Sequence, residues 1–291
     1  MPHSTRRKAA ATRAGTSGER LRAAAAGISR GNRLGFDECT PAQTELRAML
    51  ALHLFNCGKQ SALPGRSSAH FLTWYTIIMS PRYDDLVLIS SAPENVCGYL
   101  VQEDGDQEFN EIPGLRLESR GAHIFSLKLR HMATGATMTV TDNRNGRHGK
   151  ATDPGQHWRQ FATLDTPLTD TEKRFLAGLP QPYPDARHLL AALVARFSAT
   201  DQRRRWALAQ WYSDPLRRPD APKHPWADEI SRRLAGDGDN WDLRWDSHPR
   251  PEDIVGALTD PVTGLAGARA SKAGGDYVIA YRSARLAVGR F

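Results

Sequence analysis

The chain has 291 residues, 40% of them hydrophobic, with 39 Lys and Arg against 32 Asp and Glu and a formal net charge of +7. That length can bury a core without cross-links. The three cysteines, Cys39, Cys57 and Cys97, are an odd number with neither CxxC spacing nor a paired His motif, which argues against a secreted disulfide scaffold and a zinc ribbon. The charge is concentrated at one end: residues 1–34 carry Arg6, Arg7, Lys8, Arg13, Arg20, Arg22, Arg30 and Arg33 against the single acid Glu19, so everything from Gly35 onward is formally neutral. A globally basic body is excluded, and attraction to nucleic acid must come from the N-terminal residues or from local clustering.

Residues 1–34 lack apolar periodicity and are built from Ala, Arg, Ser, Thr and Gly, a composition that predicts a disordered basic tail. The alanine run at 23–27 is too short for an export signal or a membrane helix, so the expected location is cytoplasmic, with no membrane partner. The richness in Ala, Arg, Gly and Asp resembles a high-GC bacterial proteome. Thr40, Pro41 and Gln43 supply a cap, a first-turn residue and a capping-box partner for a helix through Leu46, Leu50 and Leu54 that stops at Gly58. Strands are expected over 72–79, 85–90 and 97–102, followed by an acidic turn at Glu103, Asp104, Asp106 and Glu108.

The clearest local pattern is a hairpin over 122–142. Phe125, Leu127 and Leu129 alternate with Ser126, Lys128 and Arg130, and Ala136, Met138 and Val140 alternate with Thr137, Thr139 and Thr141, around a turn at Thr134-Gly135. One face is apolar and the other carries hydroxyls and cations. The apolar-free run NRNGRHGK at 143–150 extends that polar surface as a loop. Beyond Thr169, a capping box with Glu172 opens a series of helices, through 189–197 with Asp185 as a cap, through 206–212 with Thr200 as a cap, between Pro225 and Gly236, and from Pro251. Strands return at 241–245, 276–281 and 286–291, to pair with one another or to close onto the earlier sheet. No internal repeat is visible. The order predicts an α+β fold, a predominantly antiparallel sheet packed by a C-terminal helical group. A single domain would span 35–291, with a β-rich lobe over about 35–165 and a helix-rich lobe ending in strands over about 166–291.

Motif chemistry is sparse. HExxH, EF-hand, zinc-deaminase, GxSxG and GxGxxG patterns are missing, and NCGKQS lacks the upstream glycine of a phosphate-binding loop. No metal or cofactor is expected, and nothing decides for or against catalysis. Lys128, Arg130, Arg144, Arg147 and Lys150 form the local basic cluster, suited to phosphate oxygens of DNA or RNA, and the leading expectation is a nucleic-acid-associated accessory protein that uses them with the basic tail. Two rivals stand beside it. One is a hydrolase using His131, Asp142 and His148; the other is a protein-interaction module anchored by Trp226, Trp241 and Trp245, with a protein as partner. Arg203, Arg204 and Arg205 precede Trp206, a pattern more consistent with snorkelling beside core aromatics than with base stacking. Cys57 and Cys97 read as buried structural thiols.

Overall fold

The computed structural model describes residues 2–63, 68–73, 75, 77–101, 112–121, 126–142, 160–220 and 230–291. Two helices lie at its centre. The first, α3 (Pro41–Leu54), starts where the Thr40 side chain accepts from the Gln43 N–H, and every residue from Gln43 to Leu54 except Glu45 is buried. The second, α6 (Pro184–Ala195), also begins on a proline and is buried throughout its last two turns. A helix that is apolar all round belongs in a core rather than on a surface, and these two pack closely on one another.

Each central helix opens a unit of the same design. The first unit continues through β1 (Ile78–Pro81), β2 (Asp85–Ser90), α4 (Pro93–Gly98), β3 (Leu115–Arg120), β4 (Ser126–His131) and β5 (Thr137–Asp142). The second continues through β6 (Arg232–Asp237), β7 (Asn240–Trp245), α7 (Pro251–Thr259), β8 (Arg269–Ala273), β9 (Asp276–Tyr281) and β10 (Ala284–Arg290). Both sheets have five strands, in the orders β1-β2-β5-β4-β3 and β6-β7-β10-β9-β8. In each, the second and fifth strands run parallel while the other pairs are antiparallel. The chain is therefore α+β and built from a structural repeat, and one buried cluster takes residues from both copies.

The repeats also cover one another's sheet edges. Cys57, three residues past α3, exchanges two backbone hydrogen bonds of 3.1 Å with Arg232 at the start of β6. Ser198, three residues past α6, accepts through Oγ from the Met79 N–H of β1 at 3.1 Å. A third edge, β3, receives the connector between the repeats, with Leu117 N–H donating to the Ala162 carbonyl at 2.9 Å. That connector includes α5 (Asp170–Gly178), whose capping box is formed by Thr169 and Glu172. Glu172 is fully engaged beneath it: both oxygens take the buried Arg116 guanidinium, at 2.7 and 2.8 Å, and Oε1 also accepts from Gly114 N–H.

Several expectations are corrected. Residues 1–34 are not a disordered tail, since α1 (Pro2–Ser17) and α2 (Leu21–Gly27) fold back on one another and dock against β1. The fastener is polar, which is why apolar periodicity missed it. Arg13 is wholly buried, donating to both Glu19 oxygens at 2.7 and 2.9 Å and to the carbonyls of Gly27, Leu34 and Pro81, with its guanidinium over the Phe36 ring. Gly27 is required there because a Cβ would overlap the guanidinium. Helices are interleaved with the strands rather than gathered C-terminal to a single sheet. The strand expected at 72–79 begins only at Ile78; of the one expected at 97–102, residues 97 and 98 end α4, which Pro93 and Glu94 start in helix-favouring positions, 99–101 form a turn and bend, and 102 lies outside the described residues. Residues 206–212 contain no helix: Ala207 bridges Thr200, and Gln210 has φ of 61°, a conformation that no right-handed helix contains. Of the helix expected between Pro225 and Gly236, residues 232–236 are in β6, while 221–229 lie outside the described residues, as does the acidic run at 103–108.

Removing one partner of a buried ion pair leaves the other charge unsolvated, at a cost of about 3–5 kcal/mol. Arg13→Met is expected to release α1 and α2, seen as rapid amide exchange and protease cleavage within residues 1–34 while the two sheets stay protected. Protection unchanged from the parent would contradict this. Acid should weaken the whole fold. Burial lowers His53 to about 3, and His131 and His248 to about 4 each, from an ordinary 6.5. The unfolded chain therefore binds more protons than the folded one between these values, so their contribution is complete above pH 6.5 and is lost as pH falls, through about 4 for His131 and His248 and about 3 for His53. With three such groups the steepest slope approaches about 4 kcal/mol per pH unit, measurable by urea denaturation at a series of pH values.

Candidate nucleic-acid interface

The hairpin of β4 and β5 has the register its alternation implies, from Ser126 opposite Thr141 to Arg130 opposite Thr137. Leu127, Leu129, Met138 and Val140 are buried, while Lys128, Arg130, Thr137 and Thr139 share the partly exposed face. A bulge in β3 then changes the electrostatics. Pairing steps from Leu117 opposite Leu129 to Ser119 opposite Lys128, and Glu118 is the extra residue between them. Its Oε1 accepts from Lys128 Nζ and its Oε2 from Arg130 Nε, both at 3.0 Å. Desolvation pushes the Glu118 carboxyl up, but the bonds from Arg130 and Lys128 together hold it below its ordinary value. Asp85 of β2 occupies the other side of the same face and accepts from Thr137 and Thr139 hydroxyls at 3.1 and 2.8 Å. The face thus carries two cations and two carboxylates, of which Glu118 pairs with both cations while Asp85 holds the threonines, and Arg116, one strand further on, is buried against Glu172. Arg144, Arg147 and Lys150 lie outside the described residues, so the described part of the expected basic ridge is electrically balanced.

His131 and Asp142 do not converge. His131 N–H bonds the Ala136 carbonyl beside the turn, whereas Asp142 ends β5 beyond the Ser126 and Thr141 pair. Six residues of strand separate the two levels, about 20 Å. His131 instead braces the turn, with Nδ1 2.9 Å from Thr134 Oγ1 and Nε2 3.0 Å from the Pro113 carbonyl. Burial holds it neutral. His148 lies outside the described residues. Among the described residues no cluster of three or more His, Cys, Asp or Glu is arranged to hold a metal ion, and no helix is long and apolar enough to cross a membrane. Trp241 and Trp245 are buried, with indole N–H groups donating to the carbonyls of Gly238 and Pro249, so neither is a surface anchor; Trp226 lies outside the described residues. Trp206 and Trp211 are core residues too. Cys57 and Cys97 are buried thiols, pushed up by desolvation and held protonated.

Exposed, uncompensated charge is concentrated elsewhere. On the α1 and α2 unit Arg6, Arg7, Lys8, Arg20, Arg22 and Arg30 are exposed, and none has a carboxylate at ion-pair distance among the described residues. Arg6 hydrogen-bonds the carbonyls of Ala25 and Ile28, which fixes the start of α1 to the end of α2, two residues before Arg30. The opposite end meets the second repeat where Thr200 N–H donates to the Thr16 carbonyl at 2.8 Å. Exposed Arg203 and Arg204 follow directly, while Arg205 is paired with Asp201. The residues were visible as a basic tail; their rigid presentation was hidden, because it depends on the burial of Arg13.

His131→Ala is expected to cost about 2–3 kcal/mol, since it removes two hydrogen bonds and leaves a buried carbonyl unpaired. Equilibrium urea denaturation at pH 7 reads this, and a loss under about 0.5 kcal/mol would exclude the structural role. Comparison with protein-family models, with curated proteins and with solved structures finds no match for the chain.

Proposed function

We propose that this protein is a nucleic-acid-associated accessory protein that grips the phosphate backbone of DNA or RNA through its folded N-terminal helical unit. The observation that carries the reading is the placement of charge. The net +7 of the chain equals the net charge of residues 1–34, and Arg6, Arg7, Lys8 and Arg22 sit on ordered helices rather than on a chain that must be immobilised on binding. Preordering removes an entropic cost of association. Arg and Lys at fixed spacing suit phosphate oxygens, which position a protein without reading sequence. Arg203 and Arg204, beyond the other end of α1, extend the basic surface. The hairpin cations contribute little in this reading, because Lys128 and Arg130 are both engaged by Glu118, with Asp85 on the same face. Three free thiols, two of them buried, fit a reducing bacterial cytoplasm.

Fluorescence anisotropy with a labelled duplex DNA and a labelled single-stranded RNA, titrated from about 50 to 200 mM salt, tests the proposal. Affinity should fall steeply with salt. Arg6, Arg7, Lys8 and Arg30 changed together to Gln should flatten the log–log slope by about 3 to 4, whereas Lys128→Ala with Arg130→Ala should change affinity by less than about twofold. Undetectable binding at the lowest salt, or an unaltered slope in the quadruple variant, overturns it. The two probes distinguish DNA from RNA.

A further inference from the structure

The two repeats differ at one equivalent place. In the second repeat the turn between β9 and β10 is fastened to the first turn of α6: Asp185 accepts from Ser283 N–H and Oγ and from Arg282. Pro41 and Pro184 both open their central helices, which makes Ala42 the counterpart of Asp185. Alanine offers no acceptor. The turn between β4 and β5 is braced from within by His131 and Thr134 and tied to α3 through Gln43 Nε2, which donates to the Thr137 carbonyl at 2.6 Å, and beside it, between α3 and the connector, lies an open cavity of about 440 Å³. Its far wall is α5 and the chain after it, running through Pro180 and Pro182. Among the described elements α5 packs extensively on no other helix or strand; it hangs from Glu172 and meets α3 where the Phe175 ring stacks on His53, and Phe175 and Leu176 stay half-buried. The space is thus built in, and its volume lies within the range of small-molecule sites.

The lining specifies a ligand. Met49 and Leu52 of α3 and Leu176 and Leu179 of the connector give an apolar floor. At the rim stand one anion and one cation, Glu45 and Arg187, partly exposed and 3.6 Å apart, longer than a hydrogen bond. Arg187 is steadied by a 3.3 Å bond to the Pro182 carbonyl. The two form a loose ion pair with each other and both line the cavity. A dianion such as a phosphate would meet Glu45 with a single opposing cation, and a purely apolar ligand would cover both charges without replacing their water. A molecule with an ammonium and a carboxylate on adjacent atoms answers both requirements.

We propose that this cavity is a binding site for a small zwitterion with an apolar side chain, a hydrophobic α-amino acid or an apolar dipeptide. Its ammonium is received by Glu45, its carboxylate by Arg187 and its side chain by the Met49 and Leu52 floor. The site is separate from the basic N-terminal unit, so its occupancy does not depend on nucleic-acid binding.

Isothermal titration calorimetry of the full chain with L-leucine, L-phenylalanine and L-leucyl-L-leucine tests this, with N-acetyl-L-leucine and L-leucinamide as probes lacking one charge. At least one zwitterion is expected to saturate, and the two blocked probes to bind at least about tenfold more weakly. Glu45→Gln and Arg187→Gln, at partly exposed positions that leave the core intact, should each weaken the zwitterion by a similar factor. Ala42→Phe, which narrows the mouth, should abolish binding while circular dichroism and the thermal midpoint confirm folding. No saturation by any zwitterion up to about 10 mM, equal affinity for the blocked probes, or binding undiminished in all three variants overturns the proposal.

Discussion

The packing of α3 on α6 is the contact on which the rest of the molecule depends. Each helix ends in a run with no polar face, 48–52 with Leu54 in one and 189–195 in the other, so a sheet on one side cannot cover it. The partner helix supplies the missing cover, and one core results in place of two. The exchange at Cys57 and Ser198 follows from the same arrangement: a chain leaving the end of one central helix emerges beside the first strand of the other sheet, whose edge N–H and C=O groups need partners.

Arginine holds the pieces around that centre. Arg13, Arg47, Arg116, Arg196 and Arg232 are among the largest fully buried side chains. A guanidinium offers five donors in one plane, so a single residue can satisfy carbonyls from several segments at once. Arg47 does so for Phe36, Arg82 and Asp85, and Arg196 joins Asp37 and the Thr263 carbonyl to α6. Each such residue is withdrawn from the surface. A run of cations in the sequence is consequently a poor guide to surface potential here: Arg116 and Arg130 face one another across a strand pair, yet the first is internal and the second is paired with Glu118.

The same reasoning bears on the two proposed sites. Nucleic-acid binding by residues 1–34 requires the interior arginine at position 13 as much as the exterior ones, because without it the helices have no fixed seat. The cavity beside α3 lies where Ala42 of the first repeat stands in the place of Asp185 of the second.

Sequence by itself determined the elements whose signals are local: the caps at Thr40 and Thr169, the helices opened by Pro41 and Pro251, the hairpin of β4 and β5, and the C-terminal strands, since capping and alternation act within a few residues. It also located the excess charge. Tertiary structure decided what those elements did. The repeat was invisible because it preserves topology and helix-opening prolines rather than residue identity, with connectors of unlike length between them. The order of residues 2–34, the pairing of Lys128 and Arg130 with Glu118 and the separation of His131 from Asp142 all depend on partners distant in the chain or on strand register. Periodicity carries no information about a buried guanidinium whose acceptors are backbone carbonyls, because every residue has one.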